Sequence, residues 1–426
     1  MPRFEVRRLD WSDEQLGTIS LPERPLEIAM GLGSGLARRA GDPPGIVWAV
    51  GDRGPNLKPK VLVKRYGVEA MRELAAVDGA KVMPRLDLGP AIARLRVSED
   101  RVELLKVIRI SDCQGAPLSG LPPSAGEHGT CEPAFDLEGR PLDPDPSGLD
   151  TEGILARADG GFWVGDEFGP SLVRVDAGGR VETRFVPKGV ALAGATYPVD
   201  PRLPALAARR KLNRGFEAIA LSADERWLYL AFQSPLAHPD EAVCDRATHV
   251  RLWKLDAHTL TVAGQYLYPL DPPDTFRRDA AKGGVECSDL KICELAWLGE
   301  DRLLVLERGS ETTKIYRLSL DPTCMLAAEH LDVATAPTVE QLSAAGEPAL
   351  SILAKELIFT SDDAPELSAD MEGMAVLSER ELLLVNDNDF GVEGVATAFW
   401  RIRFAEPVLT WPRHATVPRM VLERRN

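Results

Sequence analysis

The sequence predicts an all-β protein: a β-propeller of six or seven antiparallel blades with a few inserted helices. The first observation is self-similarity. An acidic residue, a short apolar strand, a polar turn, a second apolar strand and a polar cluster recur in that order. The unit occurs at Glu152 (EGILARADGGFWVGDE), Glu217 (EAIALSADERWLYLAFQ), Glu294 (ELAWLGEDRLLVLER) and Glu372 (EGMAVLSERELLLVNDND). A weaker copy, SGLARRAGDPPGIVWAVGDRG, begins at Ser34, where a serine replaces the acid. Such recurrence marks a repeat architecture. The second observation is local pattern: strand-like apolar runs flank turns rich in Asp, Gly and Glu. The third is a scarcity of helical signal. Only GVEAMRELAAVDG (67–79) and TVEQLSAAGEPALSILAKEL (338–357) read as helices, the latter broken by Pro348.

Each copy reads as the inner hairpin of a blade. The pieces SLVRVD, THVRLWKLD, TKIYRLSL and TAFWRIRF read as outer strands. The copies stand further apart than the roughly 40–50 residues of a minimal four-stranded blade. Loops such as DPPDTFRRDAAKGGVECSD take up the excess. Five copies imply at least five blades, and the remaining length extends the expectation to six or seven. The expected organisation is one domain over 1–426, with a repeat region of about 27–406 and an insertion of about 56–145. The innermost strands of a propeller line its channel, so equivalent strand ends converge on the axis. That convergence explains why the acids gather at one end of each hairpin.

Composition narrows the partners. The 65 acidic against 50 basic residues give a formal charge of −15, which disfavours nucleic acid and anionic lipid, since both need a cationic face. No apolar run is long enough to span a membrane. The N-terminal MPRFEVRRLDWSDEQ has no apolar core of a signal peptide. The expected location is therefore the cytoplasm, or the periplasm or exterior if a leader has been removed. A monomer acting on a small anionic or ester substrate is expected. The six cysteines form no CxxC and read as buried free thiols.

Four glutamates facing one channel cannot all stay ionised without cations, because like charges raise one another's pKa. A bound metal, shared protons, or capping of backbone N–H groups each resolves this. Oxygen donors without His or Cys suit Ca²⁺, Mg²⁺ or Mn²⁺. Glu152, Glu167, Glu217, Glu294, Glu307 and Glu372 are the candidate metal ligands. Glu217, Glu372 and Asp387 are the candidate catalytic residues. Arg53, Arg214 and Arg308 are the candidates for holding an anionic substrate, with ion pairs to adjacent carboxylates as the alternative. No GxSxG supports a nucleophile-elbow serine, and GLGSG (31–35) lacks the lysine of a P-loop.

GLDTEGILARADGGFWVGDE, NRGFEAIALSADERWLYLA, LAWLGEDRLLVLERG and DMEGMAVLSERELLLVNDND together resemble the esterase-like phytase domain, a bacterial β-propeller family. SGLARR…IVWAVGDRG and GAPLSGLP (115–122) fit its layout, so the resemblance covers about 30–406. It implies a hydrolase of phosphoric or carboxylic esters, with phosphate esters ahead because of the arginines. Similar propellers, such as gluconolactonases and paraoxonases, hold Ca²⁺ on the axis, which puts Ca²⁺ first among the metals. A non-catalytic propeller that binds a ligand or a protein partner around a structural Ca²⁺ is the alternative. Members of the family carry export signals, from which this chain departs.

Overall fold

The computed structural model describes residues 1–124 and 132–409. Its strands form five antiparallel blades. Blade 1 runs outward through Gly35–Ala37, Ile46–Val50, Ala91–Val97 and Val102–Arg109. Blade 2 comprises Thr151–Ala156, Phe162–Asp166, Ser171–Val175 and Val181–Pro187, with Val199–Leu203 added parallel at its edge. Blade 3 is Ile219–Leu221, Trp227–Ala231, His249–Asp256 and Val262–Pro269. Blade 4 is Lys291–Gly299, Arg302–Arg308, Thr313–Ser319 and Lys355–Thr360. Blade 5 is Met371–Ser378, Glu381–Asn386, Phe399–Phe404 and, outermost, Phe4–Arg8. The last blade therefore takes its outer strand from the chain's start, with Phe4 opposite Phe404 and Arg8 opposite Trp400. Each first-named strand touches its counterparts in the two adjacent blades, so five inner strands enclose the axis.

The count is five, not six or seven. The surplus length goes into connections: the hairpin Gln15–Ile19/Leu26–Ala29, the segment around the helix Pro59–Tyr66, and the short turns between Leu320 and Lys355. The stretch 56–145, expected as an insertion, contributes the two outer strands of blade 1. The helix expected over 67–79 is also displaced. It spans Pro59–Tyr66, opened by Pro59, whose missing N–H costs nothing there, and closed by Gly67 at φ 68°. Only 3₁₀ turns follow, at Glu69–Met71 and Leu74–Ala76. In the second expected helix, Val339–Ala344 forms behind a reciprocal Thr338–Gln341 cap.

The core lies between blades. Trp48, Val50 and Ile92 of blade 1 pack on Ile154, Val164 and Val173 of blade 2. Leu304, Leu306 and Ile315 of blade 4 pack on Met374, Leu382 and Leu384 of blade 5. Leu36, Val47 and Ala49 meet Leu383, Val385 and Phe399, completing the ring. Each such fully buried side chain stabilises the fold by about 1.5–3 kcal/mol. Trp163 is a core residue, packed on Phe185 at 5.6 Å between ring centres. The five cysteines outside the undescribed segments are free, and Cys131 lies outside the described residues.

Candidate functional site

Strand register decides which acids reach the channel. Thr151 pairs with Asp166 and Gly153 with Gly165, leaving Glu152 in a bulge. Met371 pairs with Asn386 and Gly373 with Val385, leaving Glu372 in the same position. On blade 3, Glu217 stands two residues before Ile219, as Glu152 stands two before Ile154. On blade 4, Ile292 pairs with Glu307 and Glu294 with Leu306. The bulged residue there is Cys293. Glu294 is thus the counterpart of Gly153 and Gly373, one place along the strand. Its carboxylate accepts the backbone N–H groups of Leu36 (3.0 Å), Leu295 (3.2 Å) and Met374 (3.5 Å). It caps inner strands of blades 1 and 5, and burial pushes its pKa well above the usual range.

Alternation sorts the second set of polar residues. The first member of each doublet turns into its blade. Asp166 accepts from Arg184 (2.6 Å), Ser171 (2.5 Å) and the Asp150 N–H (2.8 Å). Glu307 accepts from Tyr268, Lys355 and the Asp271 N–H, each at 2.6 Å. Both are buried inside blades and stand outside the cavity. The next residues, Glu167, Arg308 and Asp387, face the channel and line a cavity of about 230 Å³.

Eight carboxylates line that cavity: Asp52, Glu152, Glu167, Glu217, Asp370, Glu372, Asp387 and Asp389. Four cations face them there, Arg53, Lys81, Lys291 and Arg308, so negative charge is in excess. Oxygen atoms of Glu152, Glu372 and Asp387 lie within 4.8 Å of one another, and so do those of Asp52, Asp150 and Glu152. The second trio already has a cation, because Arg53 pairs with Asp150 and Glu132 and lies 3.6 Å from Asp52 and from Glu167. Burial opposes the charge on Arg53, but Asp150 and Glu132 outweigh it and hold its pKa well above the ordinary value. Arg308 pairs with Glu372 and with Asp370 at 2.7 Å. Two of the three arginines expected to hold substrate are therefore engaged by carboxylates, the alternative given for them. Arg214 stands outside the cavity lining.

Protons are held tightly here. Burial, then the charges of Asp150 and Asp52, drive the Glu152 pKa well above the usual range. Asp387 moves the same way through burial, Asp389 and Glu372. Asp389 is pushed up to about 6 by burial and Asp52. Glu217 is raised to about 8, by burial first and by Glu372 second. Its Oε1 accepts the Gln233 side-chain amide, while its buried Oε2 has no hydrogen-bond partner among the described residues.

Asp150, Asp370, Lys81, Lys291, Asn56 and Asn213 were not expected at this site. A signal for two of them exists: Asp150 and Asp370 each stand two residues before a channel glutamate, in DTEG and DMEG. The lysines carry no such mark.

A five-bladed propeller with an acidic channel mouth is the class that fold and site define. A family described as phytase-like, "Esterase-like activity of phytase", matches residues 28–390, and the chain belongs to it. An uncharacterized secreted protein of Arthroderma benhamiae is 25% identical over 309 residues, 64% of this chain and 57% of that protein. This chain thus spans a little over half of that relative's length. Among solved structures, a luciferin-regenerating enzyme aligns at 11% identity over 95% of this chain and 96% of its own (TM-score 0.34). The periplasmic gluconolactonase of Pseudomonas aeruginosa aligns at 11% over 90% of each (TM-score 0.34). An inactive virginiamycin B lyase from Staphylococcus aureus aligns at 11% over 94% and 100% (TM-score 0.33).

Proposed function

We propose that the protein hydrolyses phosphoric or carboxylic esters at the channel mouth with a hard divalent cation, Ca²⁺ first and Mg²⁺ or Mn²⁺ as alternatives. One observation carries the reading: three carboxylates from blades 2 and 5 converge within 4.8 Å, only Glu372 of them paired with a cation, beside a Glu217 oxygen without a hydrogen-bond partner among the described residues. Oxygen donors of this number and charge fit such an ion. Glu152, Glu372 and Asp387 would hold it, and Glu217 lines the same cavity. A bound cation of this kind supplies Lewis-acid polarisation of an ester oxygen.

The chain's own residues divide the remaining work. Glu217 holds a proton up to about pH 8 and can give it to a leaving alkoxide. Gln233 fixes that carboxyl through its amide, so the free oxygen keeps one direction. Arg308 orients Glu372 by a buried ion pair. Glu167 and Asp52 hold Arg53 in the wall rather than act on substrate.

The test is a panel of aryl phosphate and carboxylate esters, run with and without chelator on wild type and Glu217→Gln. Chelator-sensitive turnover that the substitution abolishes supports the reading. No turnover at any cation loading shifts it to a ligand-binding propeller. The relative named as secreted supports export rather than a cytoplasmic location, which fractionation of the source cells would check.

A further inference from the structure

Blade 4 departs from blades 2 and 5 at two positions of its inner strand. Where blades 2 and 5 present Asp150 and Glu152, or Asp370 and Glu372, the matching residues of blade 4 are Lys291 and Cys293. Lys291 pairs with Arg308 across the strand ladder and lines the cavity. It is half-buried, and its ammonium has no hydrogen bond or ion pair among the described residues. The other cations of the cavity are engaged. Arg53 is held by Asp150 and Glu132, Arg308 by Glu372 and Asp370, and Lys81 donates to Asn56 at 3.0 Å. The mouth thus sets carboxylates of blades 1, 2, 3 and 5 against an ammonium on blade 4 that touches none of them, though its charge acts on Glu217 and Glu167.

From this we infer that Lys291 is the anion-recognising residue of the site, and that the ligand carries a phosphate or carboxylate group directed at blade 4. A lone ammonium with three donors offers a point charge to such a group. The surrounding carboxylates would repel an anion at any other part of the wall, so charge fixes the ligand's orientation as well as its class. The inference deepens the proposed hydrolase and rests on its cation, because an anion entering eight carboxylates needs positive charge on both sides.

Calorimetric titration of phenylphosphonate, an ester analogue that cannot turn over, tests it on the full chain loaded with Ca²⁺. The variants are Lys291→Met, Lys291→Arg and, as a control, Lys106→Met on an exposed strand position. Lys291→Met should weaken phosphonate binding by about 10-fold or more, the scale of a charge-assisted hydrogen bond. Lys291→Arg should keep most of it, and Lys106→Met all of it. Ca²⁺ affinity in Lys291→Met should be unchanged or tighter, since a like charge is removed, and thermal melts check that the variant folds. Equal phosphonate affinity in Lys291→Met and wild type overturns the inference, as does the absence of phosphonate binding to loaded wild type. Hydrolysis is read separately by turnover, so ester cleavage without phosphonate binding defeats the inference alone. Lysine-dependent phosphonate binding without cleavage defeats only the hydrolase.

Discussion

Glu217 and Glu307 show how environment gives one residue type two roles. Glu307 sits inside blade 4, with Tyr268, Lys355 and a backbone N–H filling its oxygens. Glu217 lines the cavity with one oxygen on Gln233 and a buried one without a hydrogen-bond partner among the described residues. Glu217→Gln should therefore lower turnover by about 10²-fold, the scale of a lost general acid. Wild-type turnover should fall as pH rises past about 8, where Glu217 loses its proton. Unchanged turnover in the variant, measured on the best ester of the panel, would remove Glu217 from the reaction. Glu307→Gln should cost about 3 kcal/mol in chemical denaturation, the scale for breaking a buried ion pair, while leaving Ca²⁺ affinity intact. A lost Ca²⁺ signal there would put Glu307 back among the ligands. The types of residue at the site were legible in the sequence, but their partners were not. For Arg308 the sequence offered substrate or an adjacent carboxylate, and only the fold brings Glu372 from the next blade against it.

At the scale of the element, the bulge in the inner strands of blades 2 and 5 sets the site. It turns Glu152 and Glu372 into the channel and requires a small residue next to them. A Cβ on Gly153 would stand 2.1 Å from the Glu217 carbonyl oxygen of the adjacent blade. Gly153→Ala should thus push two inner strands apart, costing about 1–3 kcal/mol as overpacking does, and weaken cation binding by displacing Glu217 from Glu152. Denaturation and calorimetry on that variant check both effects, and an unperturbed variant would mean that the strands can separate freely. The same constraint marks where the repeat was legible. Glu152, Glu217 and Glu372 are followed by Gly, Ala and Gly, whereas Glu294 is followed by Leu. Aligning the copies on charge put Glu294 in the ring. Aligning them on the hairpin turn puts Cys293 there, as the register does, and puts Glu294 itself where the other blades carry the small residue. The outer-strand readings also hold, since SLVRVD, THVRLWKLD, TKIYRLSL and TAFWRIRF are the third strands of blades 2 to 5. Blade number was less legible, because the length left over beyond the five copies could belong to blades or to connections and only strand pairing separates them.

At the scale of the whole molecule, the channel mouth opposes the fold when it lacks a cation. Asp389 and Glu217 bind protons more tightly folded than unfolded, with pKa values of about 6 and about 8. The stability they lend is complete below the ordinary carboxyl pKa of roughly 4 and is lost as pH rises through those raised values. Chelator-treated protein should therefore melt progressively lower between about pH 5 and pH 8, while saturating Ca²⁺ should flatten the trend, because the ion favours the ionised carboxylates. A melting temperature that rises with pH over that range in chelated protein would contradict the charge distribution described here.

The most direct test of the central claim is calorimetric titration of Ca²⁺ into metal-free protein at pH 8, beside Glu152→Gln, Glu372→Gln and Asp387→Asn. The structure predicts saturable binding in wild type that each substitution weakens by about 10-fold or more, as loss of a charged ligand does. Absence of binding to wild type, or binding that all three variants retain, would contradict it and leave the channel carboxylates as strand caps and shared protons.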